Sequence, residues 1–180
     1  MSILALSLPM AMAAATPLPA APAMPPALAE FRNGQVVCDR PDPQRHLCWS
    51  ISRVKAASGG RWVLHIEGRI EPTNNLTVAL AAPLFLRDQM YCYHLTEELR
   101  QSQVVHDNGR LLAGAERQAV FERTRPLLSL IMDRDVCTRL IRKGDVVMRF
   151  LTLYGPQGSL TKPPRAAAVL PANTDYRLLP

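Results

Sequence analysis

Residues 133–154 read DRDVCTRLIRKGDVVMRFLTLY, and the fold class depends on this stretch. Its first half places four apolar residues at the spacing of one helix face: Val136, Cys137, Leu140 and Ile141. Asp133 is a suitable N-cap, the last turn is basic, and Gly144 follows it, so the pattern predicts a helix that begins at Asp133. The second half, 145–154, is rich in apolar, β-branched and aromatic residues and predicts a strand.

The chain before residue 96 is predicted to be β-structure. Its apolar segments are rich in β-branched and aromatic residues and are separated by turns that contain Pro, Gly, Asp or Asn. The clearest example is RWVLHIEGRI at 61–70, whose alternating pattern has the period of a half-buried strand. The short connections favour an antiparallel meander of the predicted strands 35–37, 47–54, 61–70, 76–86 and 90–95.

Helical signals are concentrated between residues 96 and 143. Thr96 is a plausible N-cap, and Glu97 and Glu98 are acids that suit a first turn. A second helix is expected from Ala113, with Pro126 ending or kinking it. We therefore predict an α+β fold, in which an antiparallel sheet of about five to seven strands carries two or three helices from residues 96–143 on one face. The alternative is a β-sandwich with a helical insertion.

The N-terminus is predicted to be a secretory signal peptide. Residues 1–29 contain no charged residue and run from an apolar start into an Ala/Pro tract. Two small-x-small triplets suit a signal peptidase, one ending at Ala13 and one at Ala29. Prolines interrupt the apolar run, so it is too short to span a membrane, and no transmembrane anchor is expected. The alternative is a disordered Ala/Pro tail. Residues 30–180 are then a single domain, periplasmic or secreted.

The cysteines predict a disulfide framework. All four lie after residue 29, and an even number of cysteines in an exported domain favours two bridges. We favour Cys38–Cys48, which closes a short polar turn, and Cys92–Cys137, which ties a central strand to the late predicted helix. A zinc site built from Cys38, Cys48 and Cys92 with His46 and His94 is the competing interpretation, but the close cysteine pairs of zinc knuckles are missing. Free thiols in the core are the remaining alternative. No metal is assigned.

No catalytic motif stands out in the sequence. A nucleophile elbow, a phosphate-binding loop and a zinc-protease motif are all absent from it. The best acid–base group is His94 with Glu97 and Glu98, near Tyr93, because an imidazole beside a carboxylate titrates near neutrality. A simpler interpretation places His94 on a strand and gives both acids to a helix N-terminus. Accordingly no catalytic residue and no cofactor are assigned.

The positive charge suggests an anionic partner. The chain has 21 Lys and Arg against 15 Asp and Glu, a formal net charge of +6. Arginine forms forked hydrogen bonds with phosphate and carboxylate groups. The late predicted helix carries the candidate contact residues Arg134, Arg139, Arg142 and Lys143. Export argues against nucleic acid as the partner.

Two functional hypotheses follow. The first is an exported, non-enzymatic accessory or interaction protein of the cell envelope, which contacts a protein or anionic partner through the Arg-rich helical face. The second is a small envelope hydrolase or transferase that uses His94, Glu97 and Glu98.

Overall fold

The computed structural model describes residues 23–70, 75–144 and 146–179. Within these ranges most of the regular structure is β. The strands are β1 Val36–Asp39, β2 Leu47–Cys48, β3 Ser50–Ala56, β4 Trp62–Arg69, β5 Leu76–Arg87, β6 Met90–His94, β7 Val104–Asp107, β8 Arg110–Leu111, β9 Asp135–Lys143, β10 Val146–Gly155, β11 Gly158–Thr161, β12 Arg165–Leu170 and β13 Arg177–Leu178. The helices are α1 Glu97–Gln101 and α2 Gly114–Leu128, and 3-10 turns occupy Pro26–Gly34 and Ser58–Gly60.

Eight strands form a closed antiparallel barrel. Their order is β4-β3-β1-β12-β10-β9-β6-β5, and β5 pairs again with β4 to close the circle. The long strand β5 makes this possible, because one edge pairs with β4 while the other pairs first with β7 and then with β6. Outside the barrel order, strand β11 pairs with β10, and the β7–β8 hairpin pairs with β5 through β7. Closure leaves few unpaired edges for aggregation.

The prediction of a helix at residues 133–144 is wrong, and so is the α+β fold class. Strand β9 lies between β6 and β10, and both of its faces are covered at 136–138. Val136 packs in the barrel core, whereas Cys137 bonds to Cys92 in a separate cluster with Met90. Since neighbouring residues on a strand point to opposite faces, covering both faces produces adjacent apolar residues that resemble a helix face. Gly144, with φ of 60°, forms the turn after β9 instead of a helix C-cap.

The β-sandwich alternative is also wrong, because the β4–β5 pairing joins the sheet into one closed barrel. The helices lie beside the barrel, where α2 and the β7–β8 hairpin share a small core around Val105 and Phe121. The Thr96 N-cap is confirmed, as its Oγ1 accepts a hydrogen bond from Leu99 N–H at 3.1 Å. Pro126 lies inside α2, which continues to Leu128.

The barrel interior is filled with side chains. Its buried residues come from all eight strands and include Leu64, Ala82, Tyr91 and Leu153. The first 3-10 segment, Pro26–Gly34, adds two more, since Leu28 is 0% and Phe31 1% exposed. The Phe31 ring lies edge-on to Tyr91 with 5.5 Å between ring centroids. We call Pro26–Gly34 the plug, because its apolar side chains complete the barrel core.

The disulfide framework predicted from the sequence is present. Cys38–Cys48 joins β1 to β2, and Cys92–Cys137 joins β6 to β9 at directly opposite positions. This is the pairing that we favoured from the sequence. All four cysteines are consumed, so none remains as a thiolate ligand for zinc. The residues that the structure describes contain no other cluster of three metal-ligating side chains.

The N-terminal prediction falls partly outside the described residues. The apolar start and the triplet ending at Ala13 lie within 1–22, where nothing is described. The triplet ending at Ala29 lies within the plug. Among the described residues, no helix has the length and apolar character needed to cross a bilayer.

Candidate functional site

His94 meets a carboxylate, but not one that the sequence pointed to. At the end of β6, His94 Nδ1 lies 2.9 Å from Oδ1 of Asp135. The other oxygen of Asp135 is 2.9 Å from Nη1 of Arg87, whose guanidinium lies 4.7 Å from the ring centre of Tyr154. With Nδ1 hydrogen-bonded to a carboxylate, Nε2 is the nitrogen left for a base or a ligand. The group borders an open surface depression of about 680 Å³.

The sequence did contain a signal for the His94–Asp135 pair. In an antiparallel pair bridged at Cys92–Cys137, the residue two positions after Cys92 lies opposite the residue two positions before Cys137. The favoured disulfide therefore implied His94 opposite Asp135. The signal was missed because Asp135 had been assigned to a helix.

Glu97 and Glu98 serve helix α1 instead of His94. Glu97 accepts hydrogen bonds from Nε of Arg100 and from Gln101 Nε2, both at 2.8 Å. The hydrogen bonds from Arg100, and then from Gln101, lower the pKa of Glu97 to about 2. Backbone and Thr96 hydrogen bonds lower the pKa of Glu98. Arg100 itself is buried and stacks on Phe121 of α2, so Glu97 helps to join the two helices.

Tyr93 is also separated from His94. It is buried inside the barrel, and burial raises the pKa of its hydroxyl. His94, the next residue on β6, is exposed. The predicted constellation of His94, Glu97, Glu98 and Tyr93 is thus not assembled around one point.

The four basic residues assigned to an anionic partner do not share one helical face, because the segment is a strand. Arg142 is bound to Glu30 of the plug, with Nη2 2.7 Å from Oε2. Arg139 and Lys143 lie on the opposite face of β9, since strand residues alternate. Arg134 precedes the strand and packs beside Gly155. A different set of basic side chains forms a concave surface.

That surface lies on the outer side of strands β3, β4 and β5. A hollow of about 640 Å³ is lined by Arg53 and Lys55 from β3, His65 and Glu67 from β4, and Ala79, Ala81 and Val104 from β5 and β7. Register explains its shape. Arg53, His65 and Ala81 lie directly across from one another on the three strands, and the alanines leave space beside the longer side chains. We call this surface the cationic hollow.

The cationic hollow has more positive than negative groups. Within the described part of the chain neither Arg53 nor Lys55 forms an ion pair, and Glu67 is the one acid that lines the hollow. Burial, then Lys55 and then Arg53, lower the pKa of His65. Part of the lowering thus comes from the two neighbouring cations. An anion placed in the hollow would be attracted by Arg53 and Lys55, and by His65 once its ring is protonated.

Sequence patterns alone did not find this hollow. Arg53 and Lys55 stand two apart, as do His65 and Glu67 and the two alanines, so each pair lies on one strand face. Only the register between β3, β4 and β5 brings the three pairs together.

Comparison with known proteins found no matching family, no similar curated protein and no similar solved structure. The function is accordingly argued from the residues and their surroundings.

Proposed function

We propose that the protein is an exported, non-enzymatic binding protein of the cell envelope, and that it holds an acidic protein segment in the cationic hollow. The observation that carries this proposal is the concave placement of Arg53, Lys55 and His65 with neither cation in an ion pair among the described residues. The export part of the proposal is supported by the uncharged N-terminus and the two disulfides.

The shape of the hollow favours a protein segment over a membrane surface. Peripheral membrane-binding elements insert protruding apolar side chains into the bilayer beside basic ones that contact the head groups. Here the basic groups surround a depression whose floor includes Ala79, Ala81 and Val104. A segment that alternates carboxylates with aliphatic side chains would complement both the charge and the floor.

Neutralising the two cations tests the proposal directly. We expect an acetylated Glu-Leu-Glu-Leu-Glu peptide to bind the native chain, and the R53Q/K55Q variant to bind it at least about tenfold more weakly, a loss of about 1.4 kcal/mol. Affinity should also fall as salt is raised, because the contacts are ionic. Isothermal titration calorimetry measures both effects.

The matched control is R139Q, which removes an exposed arginine from the outer face of β9. It should bind the peptide as the native chain does, and a Gln-Leu-Gln-Leu-Gln peptide should not bind. Equal binding by R53Q/K55Q and the native chain, with both folded, would refute the proposal.

Binding in the hollow should depend on pH through His65. In the free protein the lowered pKa of His65 favours the neutral ring. His65 therefore contributes to the folding stability above pH 6.5, the usual pKa, and this contribution is lost as pH falls through the lowered pKa. A bound anion favours the protonated ring and raises the pKa. Affinity should therefore rise about three- to tenfold between pH 7 and pH 5.

The H65Q variant separates this effect from other titrating groups, Glu67 in the hollow and the carboxylates of the peptide. Calorimetry should show proton uptake on binding for the native chain and none for H65Q. An unchanged pH profile in H65Q would show that His65 does not sense the ligand.

An envelope hydrolase or transferase is the second candidate. One observation favours it, the hydrogen bond that orients His94 against Asp135 beside an open depression. In such an enzyme the carboxylate partner of His94 would be Asp135 in place of Glu97 or Glu98. Turnover of an activated ester by the native chain, abolished in H94A, would favour this role over binding alone.

A further inference from the structure

A second basic site lies at the end of the barrel where β1 finishes and β12 begins. Asp39, the last residue of β1, is only 3% exposed, although it carries a charge. The guanidinium groups of Arg40 and of Arg149 on β10 lie within 4 Å of its carboxylate, and Arg165 on β12 is the direct register partner of Arg149. We call these four residues the arginine mouth.

The single carboxylate does not satisfy the arginines. Asp39 Oδ2 lies 3.4 Å from Nη1 of Arg149 and 3.9 Å from Nε of Arg40, both longer than the roughly 2.7–2.9 Å of a charge-assisted hydrogen bond. Its other oxygen, Oδ1, is buried without a hydrogen-bond partner, and so is Nε of Arg149. Buried polar atoms without partners are costly: the Nε–H of Arg149 needs an acceptor, which an anion supplies, whereas Oδ1 of Asp39 needs a donor.

Two arginines also face each other across the sheet. Arg149 and Arg165 are direct partners in the β10–β12 register, where like charges are destabilising. Arg165 forms no ion pair in the part of the chain that the structure describes. Burial, followed by repulsion from Arg165, lowers the pKa of Arg40 in spite of the nearby Asp39. A small cavity of about 30 Å³ beside the side chains of Arg149 and Arg165 is also lined by Leu151, Lys162 and Pro163.

We propose that the arginine mouth binds a phosphate group. A phosphate that enters between Arg149 and Arg165 relieves their repulsion and receives forked hydrogen bonds from two strands. Arg40 and Lys162 add positive charge at the rim, and Asp39 positions Arg149 from below. Three guanidinium groups and the Lys162 ammonium against one carboxylate leave three positive charges, enough to compensate a phosphate of charge near −2. This site is separate from the cationic hollow and does not depend on it.

The probes are inorganic phosphate and vesicles of phosphatidic acid, which present a terminal phosphate as a free ion and as a lipid head group. The full chain is titrated with phosphate by calorimetry and, independently, by the fluorescence of Trp49, whose ring lies 4.0 Å from the Arg40 guanidinium. Vesicle binding is measured by co-sedimentation, with phosphatidylcholine vesicles as the neutral reference.

The R165Q variant tests the site, because Arg165 is exposed and its loss should not prevent folding. We expect at least a tenfold loss of affinity for whichever probe binds. The R53Q/K55Q variant should keep native affinity, which separates this site from the hollow. Binding of phosphate alone identifies a soluble ligand, and binding of vesicles alone identifies a lipid head group. Failure of both probes to bind the native chain, or unchanged binding by R165Q, would overturn the proposal.

Discussion

A chain that begins at Glu30 should be less stable than one that begins at Ala14 by about 2–5 kcal/mol, the cost of removing a buried leucine. Leu28 is fully buried in the barrel core, two positions before Glu30, and Met24 packs against the same core. Without them the core loses apolar contacts and keeps a cavity. Urea unfolding, followed by circular dichroism, measures the difference.

The Leu28→Ala variant of the longer chain isolates the packing contribution. It should account for most of the loss, since the backbone of the plug is retained. The same reasoning bears on export, because the sequence left cleavage after Ala13 and after Ala29 open. Under the proposed export, we expect mass spectrometry of the processed chain to show Leu28 retained. An equally stable chain from Glu30 would show that the plug contributes nothing.

Removing the disulfide between β6 and β9 should lower the free energy of unfolding by about 4 kcal/mol. In the chain-entropy account a bridge stabilises by restricting the unfolded chain, and the restriction grows with the length of the loop that is closed. Cys92 and Cys137 are 45 positions apart, against 10 for Cys38 and Cys48. The C92S/C137S variant is compared with the native chain by urea unfolding.

The C38S/C48S variant is the matched control. Each pair removes one bridge and leaves two serines, but the shorter loop should cost only about 2.7 kcal/mol. Equal losses, or a larger loss for C38S/C48S, would show that native-state packing and not loop length decides the contribution of each bridge.

The β-strands of the N-terminal half were predictable because local patterns specify them. The alternation in 61–70 corresponds to β4, and the apolar segments around it correspond to β1, β3, β5 and β6. The Thr96 cap was predictable for the same reason, since capping involves residues three apart. In each case the deciding interactions lie within one segment.

Strand β9 was not predictable from its own residues. Its apolar side chains follow helical spacing because partners from other strands cover both faces, and those partners lie more than 40 positions away in the case of β6. Barrel closure was not predictable for the same reason. It requires one edge of β5 to pair with β4 while the other edge pairs with β7 and β6. Pairing over long distances overrides the local pattern.

The candidate sites depend on register even more strongly. The cationic hollow, the His94–Asp135 pair and the arginine mouth each combine side chains from at least two strands. Only the His94–Asp135 pair had a sequence signal, through the favoured disulfide. The basic residues that the sequence suggested as partner contacts were grouped by helical spacing. That grouping assigned Arg142 to a partner-binding surface, whereas in the structure Arg142 binds Glu30.

The central claim is that the cationic hollow is the surface that recognises an acidic segment. Titration of the isotope-labelled chain with the Glu-Leu-Glu-Leu-Glu peptide, followed by NMR, tests it residue by residue. We predict amide shifts concentrated at Arg53, His65, Ala79, Ala81 and Val104, with β9 unaffected. Shifts centred on Arg139 and Lys143, or no shifts at millimolar peptide, would contradict the claim.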